Sequence, residues 1–269
     1  MTLPWLLQSI RFKRKNNFYH NMTLLEQNLN RMSHKKRVFF TNDTDIRLGF
    51  EVECVIRGNR GGNWPSPNWT KFCKEIHDLK KNVVIGDDCS INRGSFGSNA
   101  RTAEVRTAPL PPKNAMRVLK AIFNCVNKYG ATNSSCGLHV NISSIQREKM
   151  LRFNPLPFLS SRLWDELLKT FKRTGNQYCR INVNKPTPKT CKVHMFQQMA
   201  NAFEDKCYCV NLCRFGNGLN KSSRVEVRGF GNKNYTKRFI TVARFVKRIE
   251  TLFILSCDDD VPLTKIFSV

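Results

Sequence analysis

The run Gly49-Phe50-Glu51-Val52-Glu53-Cys54 constrains this chain more than any other stretch. On an extended strand successive side chains point to opposite faces, so Phe50, Val52 and Cys54 would face a core while Glu51 and Glu53 share the other side. The two carboxylates then stand about 7 Å apart. Such a pair either lies wet and without consequence or is held by positive charge, from a metal ion or from an arginine on a neighbouring strand.

The arrangement recurs. Thr102–Leu110 puts Glu104 and Arg106 on one side, Asn133–Ile142 does the same with His139 and Asn141, and Arg224–Phe230 with Glu226 and Arg228. Apolar residues alternate with them on each strand. The predicted fold is α+β: an antiparallel sheet with helices packed on its apolar face and carboxylates, an imidazole and guanidinium groups on the other. For one strand alone, a wet sheet face with weak cross-strand pairs explains the pattern as well. Four carboxylates and one imidazole together are better explained by a hard-cation site, with one or two Mg2+ or Mn2+ ions bridging substrate phosphates. Arg228 and Arg180 would offset charge on a transferred phosphoryl group.

Helices are expected over residues 69–79, from Pro111-Pro112 to a stop at Gly130, over 160–175 with Ser160 or Ser161 as cap and Gly175 past the end, over 194–203, and over 236–255. The last stacks Phe239, Val242, Phe245, Val246, Ile249, Leu252 and Phe253 inward, and Lys237, Arg238, Arg244, Lys247 and Arg248 read as its basic, solvated face. Residues 83–91 read as a strand, a turn and a second short strand, His77 as a surface residue, and residues 208–215 as a strand pairing with 224–230 across a Gly216-Asn217-Gly218 turn.

With 269 residues and 41% hydrophobic content, the chain can build one sizeable core. Residues 1–44 are basic and weakly periodic and read as an extension; residues 45–269 hold the catalytic-size domain. No apolar run approaches the ~18 residues that span a bilayer, and the opening residues are too short for a signal-peptide core, so a soluble, cytoplasmic protein is expected. The eleven cysteines are scattered, which in a cytoplasm favours reduced thiols; Cys207-x-Cys209-x-x-x-Cys213 lacks the spacing of a zinc knuckle and reads as structural. The net charge of +25 attracts polyanions such as nucleotide phosphates, nucleic acid or a membrane surface, or merely keeps the protein soluble. Nucleic-acid binding is the rival reading, although no RNP, KH or zinc-finger pattern is present. A thiol hydrolase pairing Cys54 or Cys136 with His139 is disfavoured, because Cys136 and His139, three apart, would point to opposite faces.

Gly49-Phe50-Glu51-Val52-Glu53, Asp88-x-Ser90, Glu104-x-x-Thr107-x-Pro109-Leu110, Cys136-Gly137-Leu138-His139-Val140 and Val225-Glu226-Val227-Arg228-x-Phe230 occur in an order and at a spacing that resembles the amidoligase family. Its relatives are the glutamine synthetase and glutamate-cysteine ligase carboxylate-amine ligases. The resemblance covers residues 46 to about 250. It implies a curved antiparallel sheet binding Mg-ATP on a polar concave face, and an amide-forming reaction through an acyl phosphate. Carried over by position, Glu51, Glu53, Glu104, His139 and Glu226 would be metal ligands. Glu51, Glu226, His139 and Arg228 would meet ATP, Arg228 and Arg180 would clamp phosphate, and Asp88 would place or deprotonate the amine. Asn141 stands where many relatives carry a second His, and the first 44 residues have no counterpart; both features leave a decayed ligase as an alternative. The substrates implied are a carboxylate and an amine. The positive charge suggests an acidic acceptor, such as a Glu-rich protein segment or a cell-wall peptide.

Overall fold

The alternation that marks residues 49–54 runs further than the sequence suggests. The computed structural model describes residue 40 and residues 45–58, 65–79, 83–94, 96–97, 99–181, 202–203, 205–215 and 223–258. In it β1 spans Ile46–Ile56, and Ile46, Leu48, Phe50, Val52, Cys54 and Ile56 are all buried. The remaining strands are β2 (Val83–Gly86), β3 (Arg101–Thr107), β4 (Gly130–Ala131), β5 (Gly137–Ser144), β6 (Val210–Asn211) and β7 (Val225–Gly231). They form one open sheet in the order β2-β3-β1-β5-β7-β6, with β4 beside β1. Each of these pairings is antiparallel. β1 is thus central, and its register sets Glu51 between Arg106 and His139 and Glu53 opposite Glu104. Glu226 lies between Asn141 and Asn211.

One irregularity matters for the site. The β5–β7 register shifts between Leu138, which faces Phe230, and Val140, which faces Val227. Three steps on β7 therefore match two on β5, a bulge at Arg228-Gly229 that reverses the strand's alternation. Strict alternation would put Phe230 on the side of Glu226 and Arg228; the bulge returns it to the core, where it is fully buried. A Cβ at 229 would lie 2.6 Å from the Leu167 side chain and 2.9 Å from Cys209 Sγ, so any larger residue there would have to displace both.

The helices are α1 (Pro67–His77), α2 (Pro112–Tyr129), α3 (Arg147–Leu151), α4 (Pro155–Ser160), α5 (Leu163–Thr170) and α6 (Phe239–Ser256), the last preceded by a 3-10 turn over Tyr235–Lys237. On α2, Met116, Leu119, Ile122, Phe123 and Val126 are buried in one stripe, as a period of 3.6 requires. Gly130 ends α2 in an extended conformation, with φ −140°. A side chain there would meet the Val55 carbonyl oxygen at 2.4 Å, so glycine is needed for the close approach of β4 to β1. His77 is exposed, as expected.

Three expectations are corrected. Residues 89–91 are not a strand; the Asp88 carboxylate accepts the Ser90 N–H at 2.8 Å and closes a turn. The helix expected over 160–175 is shorter: α4 ends at Ser160, and only α5, Leu163–Thr170, lies within that span. The Ser161 hydroxyl accepts the Leu163 N–H at the break, and Lys172 with φ 53° turns the chain out before Gly175. The basic face of α6 is not simply solvated: Arg248 is buried and makes a two-armed ion pair with Glu166, 2.8 Å on each arm. Of residues 208–215, only Val210–Asn211 pair as strand with β7. The helix over 194–203 falls outside the described residues apart from Ala202 and Phe203; so do the Gly216-Asn217-Gly218 turn and, apart from Phe40, the extension 1–44. Among the described residues no helix is long and apolar enough to cross a membrane.

Candidate active site

The sheet register brings together groups that are far apart in the chain. His139 Nδ1 lies 2.9 Å from Glu51 Oε2 and 3.6 Å from Glu226 Oε1, and its Nε2 lies 3.4 Å from Glu53 Oε1. The imidazole is thus enclosed by carboxylates from β1 and β7. Burial disfavours its charged form and Arg228 opposes it as well, but the Glu51 hydrogen bond and the charges of Glu53 and Glu226 prevail, and the pKa of His139 is raised. Burial also works against the charge of Glu51. His139 and Asn141 donate to that carboxylate, and with Arg224 nearby they hold it down to about 2. Glu104 moves the other way: burial and the charges of Glu51 and Glu53 raise its pKa despite Arg106.

Two ligand sets emerge. Glu51, Glu104 and His139 each offer one atom within 4.8 Å of the others, and Glu53, Asp88 and Glu104 do the same. Glu104 belongs to both. Oxygen donors with a single imidazole suit Mg2+ or Mn2+, so the residues present fit the cation that the sequence pattern implies. Asp88, expected beside the amine, stands with the second set. Glu226 is buried; it accepts from Arg228 Nη1 at 3.1 Å and from Asn211 Nδ2 at 3.2 Å. The Nε of Arg228 is buried and has no hydrogen-bond partner among the described residues. Arg180 is differently placed. Its guanidinium, half exposed, pairs with Asp205 and stacks 4.7 Å over the Tyr208 ring.

Several supporting residues carried no distinguishing mark in the sequence. Asn211 reaches Glu226, and Arg224 Nε donates to Asn141 Oδ1 at 2.9 Å. The backbone N–H of Gly137 donates to Glu53 Oε2. The buried guanidinium of Arg173 supports that turn by donating to the Cys136 carbonyl at 3.1 Å, and the Tyr235 hydroxyl lies 2.8 Å from the carbonyls of both Glu53 and Gly137. Only the parity of Arg224 with Glu226 and Arg228 placed it on this side of β7.

Cys54 and Cys136 supply no rival centre. Burial pushes the Cys136 thiol up to about 12 and Cys54 well above its ordinary value, so neither supplies a thiolate near neutral pH. The cysteines among the described residues are free thiols.

No family model matches the chain, and no curated protein matches it. Among solved structures it is similar to a novel glutamine synthase homolog, with 11% sequence identity and a TM-score of 0.37 over 86% of this chain and 59% of that one. It is also similar to glutamine synthetase of Plasmodium falciparum, with 12% identity and a TM-score of 0.40 over 86% of this chain and 56% of the other. The chain therefore spans less than two thirds of the length of either.

Proposed function

We propose that the protein is an ATP- and Mg2+-dependent carboxylate-amine ligase, with the site on a polar, concave face of the sheet. The observation that carries this reading is the pair of candidate ligand sets sharing Glu104, beside a guanidinium whose Nε is buried with no partner among the described residues. Glu51, Glu104 and His139 would hold one divalent cation, Glu53, Asp88 and Glu104 a second, with Glu226 alongside. The cations would supply neutralisation of the phosphate oxygens of ATP.

The chain's own residues then align two substrates. Arg228, anchored on Glu226, presents planar donors to the transferred phosphoryl group. A carboxylate oxygen attacks the γ-phosphorus and the bond to the β-bridging oxygen breaks, leaving ADP and an acyl phosphate. The amine nitrogen attacks the acyl carbon, phosphate departs, and the nitrogen loses a proton to give the amide. No protein nucleophile is required; alignment and charge do the work. We assign Asp88 to the cation set rather than to the amine, because its oxygen stands with those of Glu53 and Glu104. Arg180 would join the phosphate only by leaving Asp205. The net charge of +25 favours an acidic acceptor.

Calorimetric titration with ATP, with and without Mg2+, tests the reading. Cation-dependent binding that disappears in Glu51→Gln and Glu226→Gln is expected. No binding, or binding indifferent to both substitutions, would overturn it.

A further inference from the structure

A side-chain amide can enter a site from either end, and the neighbours of Asn141 leave only one end possible. Arg224 Nε donates to Asn141 Oδ1 at 2.9 Å, and Asn141 Nδ2 donates to Glu51 Oε1 at 3.0 Å. A guanidinium only donates and an ionised carboxylate only accepts, so the chain from Arg224 to Glu51 has one sense. Flipping the amide would set NH2 against guanidinium and C=O against carboxylate, and both bonds would be lost. Glu51 is meanwhile held on its other oxygen by His139 Nδ1 at 2.9 Å. Its carboxylate plane is thus fixed from two directions, and each oxygen keeps a lone pair for a further partner.

We infer that Arg224 is a positioning residue: through the Asn141 amide it fixes the orientation in which Glu51 meets a divalent cation. The inference rests on the ligase reading for the cation, but not for the relay itself. Partners of this kind set ligand geometry in metal sites, and their loss typically weakens binding by about tenfold or more. The sign is diagnostic. Deleting a positive charge beside a cation site should by itself tighten cation binding, so weakening on removal of Arg224 must come from lost orientation.

Mn2+ binding, followed by the paramagnetic resonance of free Mn2+, and hydrogen exchange of the Asn141 side-chain amide in chelator-treated protein together test this. The amide resonances are identified by their loss in Asn141→Asp. Arg224→Met should weaken Mn2+ binding roughly tenfold and speed the amide exchange, and Arg224→Lys, which keeps a donor, should restore most of both. In an Asn141→Ala background, Arg224→Met should no longer weaken Mn2+ binding. Tighter or unchanged binding in Arg224→Met, or equal weakening in both backgrounds, overturns the inference. Mn2+ binding that ignores Glu51→Gln sinks the cation reading instead. The amide exchange still decides the relay in that case, and exchange unaltered by Arg224→Met sinks it too.

Discussion

β3 and β7 carry the same three-residue pattern, Glu-x-Arg, and put it to different uses. In both, the arginine pairs with the glutamate two residues before it at 3.1 Å. On β7 the pair is sunk: the Arg228 side chain is 18% exposed and Glu226 10%. On β3 the Arg106 side chain is 53% exposed and leans over Gly86 of β2 at the edge of the sheet, 2.8 Å from where a Cβ would be. The charge of Arg228 opposes protonation of His139, whereas that of Arg106 works to lower the pKa of Glu104. Both strands lie next to an edge strand, β3 beside β2 and β7 beside β6, so the difference lies in local packing: the bulged strand sinks its arginine, and the regular one lets its arginine lean out. Local sequence does not distinguish them.

The largest effect that would break this comparison is catalytic. Under the ligase reading, Arg228→Ala should lower the ATP-dependent rate by about a hundredfold to a thousandfold, the range for removing an aligned donor from a developing charge. Arg228→Lys should recover little, because a single ammonium does not replace a planar fork. Arg106→Ala should change the rate by less than about tenfold, since its exposed charge is screened. Equal losses in both would mean that the two motifs are equivalent and that the site extends to the sheet edge. Steady-state kinetics of phosphate release measures all three.

A second contrast lies between two carboxylates of one cluster. Glu51 is held down to about 2 from 4.5, so its contribution to stability is present above pH 4.5 and is lost as pH falls toward 2. Glu104 is raised above 4.5, so ionising it costs stability, and that cost shrinks as pH falls through its folded value and is gone below 4.5. In chelator-treated protein at pH 7, Glu51→Gln should therefore destabilise by a few kcal/mol and Glu104→Gln should stabilise. Urea unfolding at pH 7 and pH 4 reads both, and the gap between the variants should narrow at the lower pH. His139 adds a third slope: its raised pKa contributes stability that is complete below 6.5 and is lost as pH rises through the folded value. The same sign for both glutamines would show that the two carboxylates share one environment.

What the sequence made legible was whatever follows from periodicity. Phe50, Val52 and Cys54 pointed inward and Glu51, Glu53, His139 and Glu226 outward because a strand has a period of two, and no tertiary knowledge was needed for that. The bulge was partly legible: Phe230 has the parity of Glu226 and Arg228, and a large aromatic on a charged face is inconsistent unless the strand slips. The burial of Arg248 was not legible, because its partner Glu166 lies on another helix and the helical pattern shows only a polar face. Nor was the role of Arg224, whose parity was plain but whose meaning depends on Asn141 of the neighbouring strand. The placement of Asp88 came from a turn that reads as strand, and Arg180 was expected at the phosphate from order in the chain, where the fold offers it Asp205 instead.

The smallest expected effect is on folding, and it sharpens the contrast between the two strands. An exposed ion pair contributes about 0–1 kcal/mol, so Arg106→Ala should move the urea midpoint little. Arg228→Ala removes a partly buried partner and leaves the buried Glu226 with Asn211 as its remaining donor among the bonds described. Removing one side of such a pair leaves a charge with less solvation than water would give it, at a cost of roughly 1–3 kcal/mol. Because the cost falls on the carboxylate, it should vanish in Glu226→Gln, where Arg228→Ala becomes nearly neutral. A smaller dependence is expected between Arg106 and Glu104, because water reaches the half-exposed guanidinium although the Glu104 side chain is only 18% exposed. A double-mutant cycle on each strand measures the two couplings, and a coupling on β3 as large as that on β7 would remove the distinction between a pair with a sunken arginine and a pair with an exposed one.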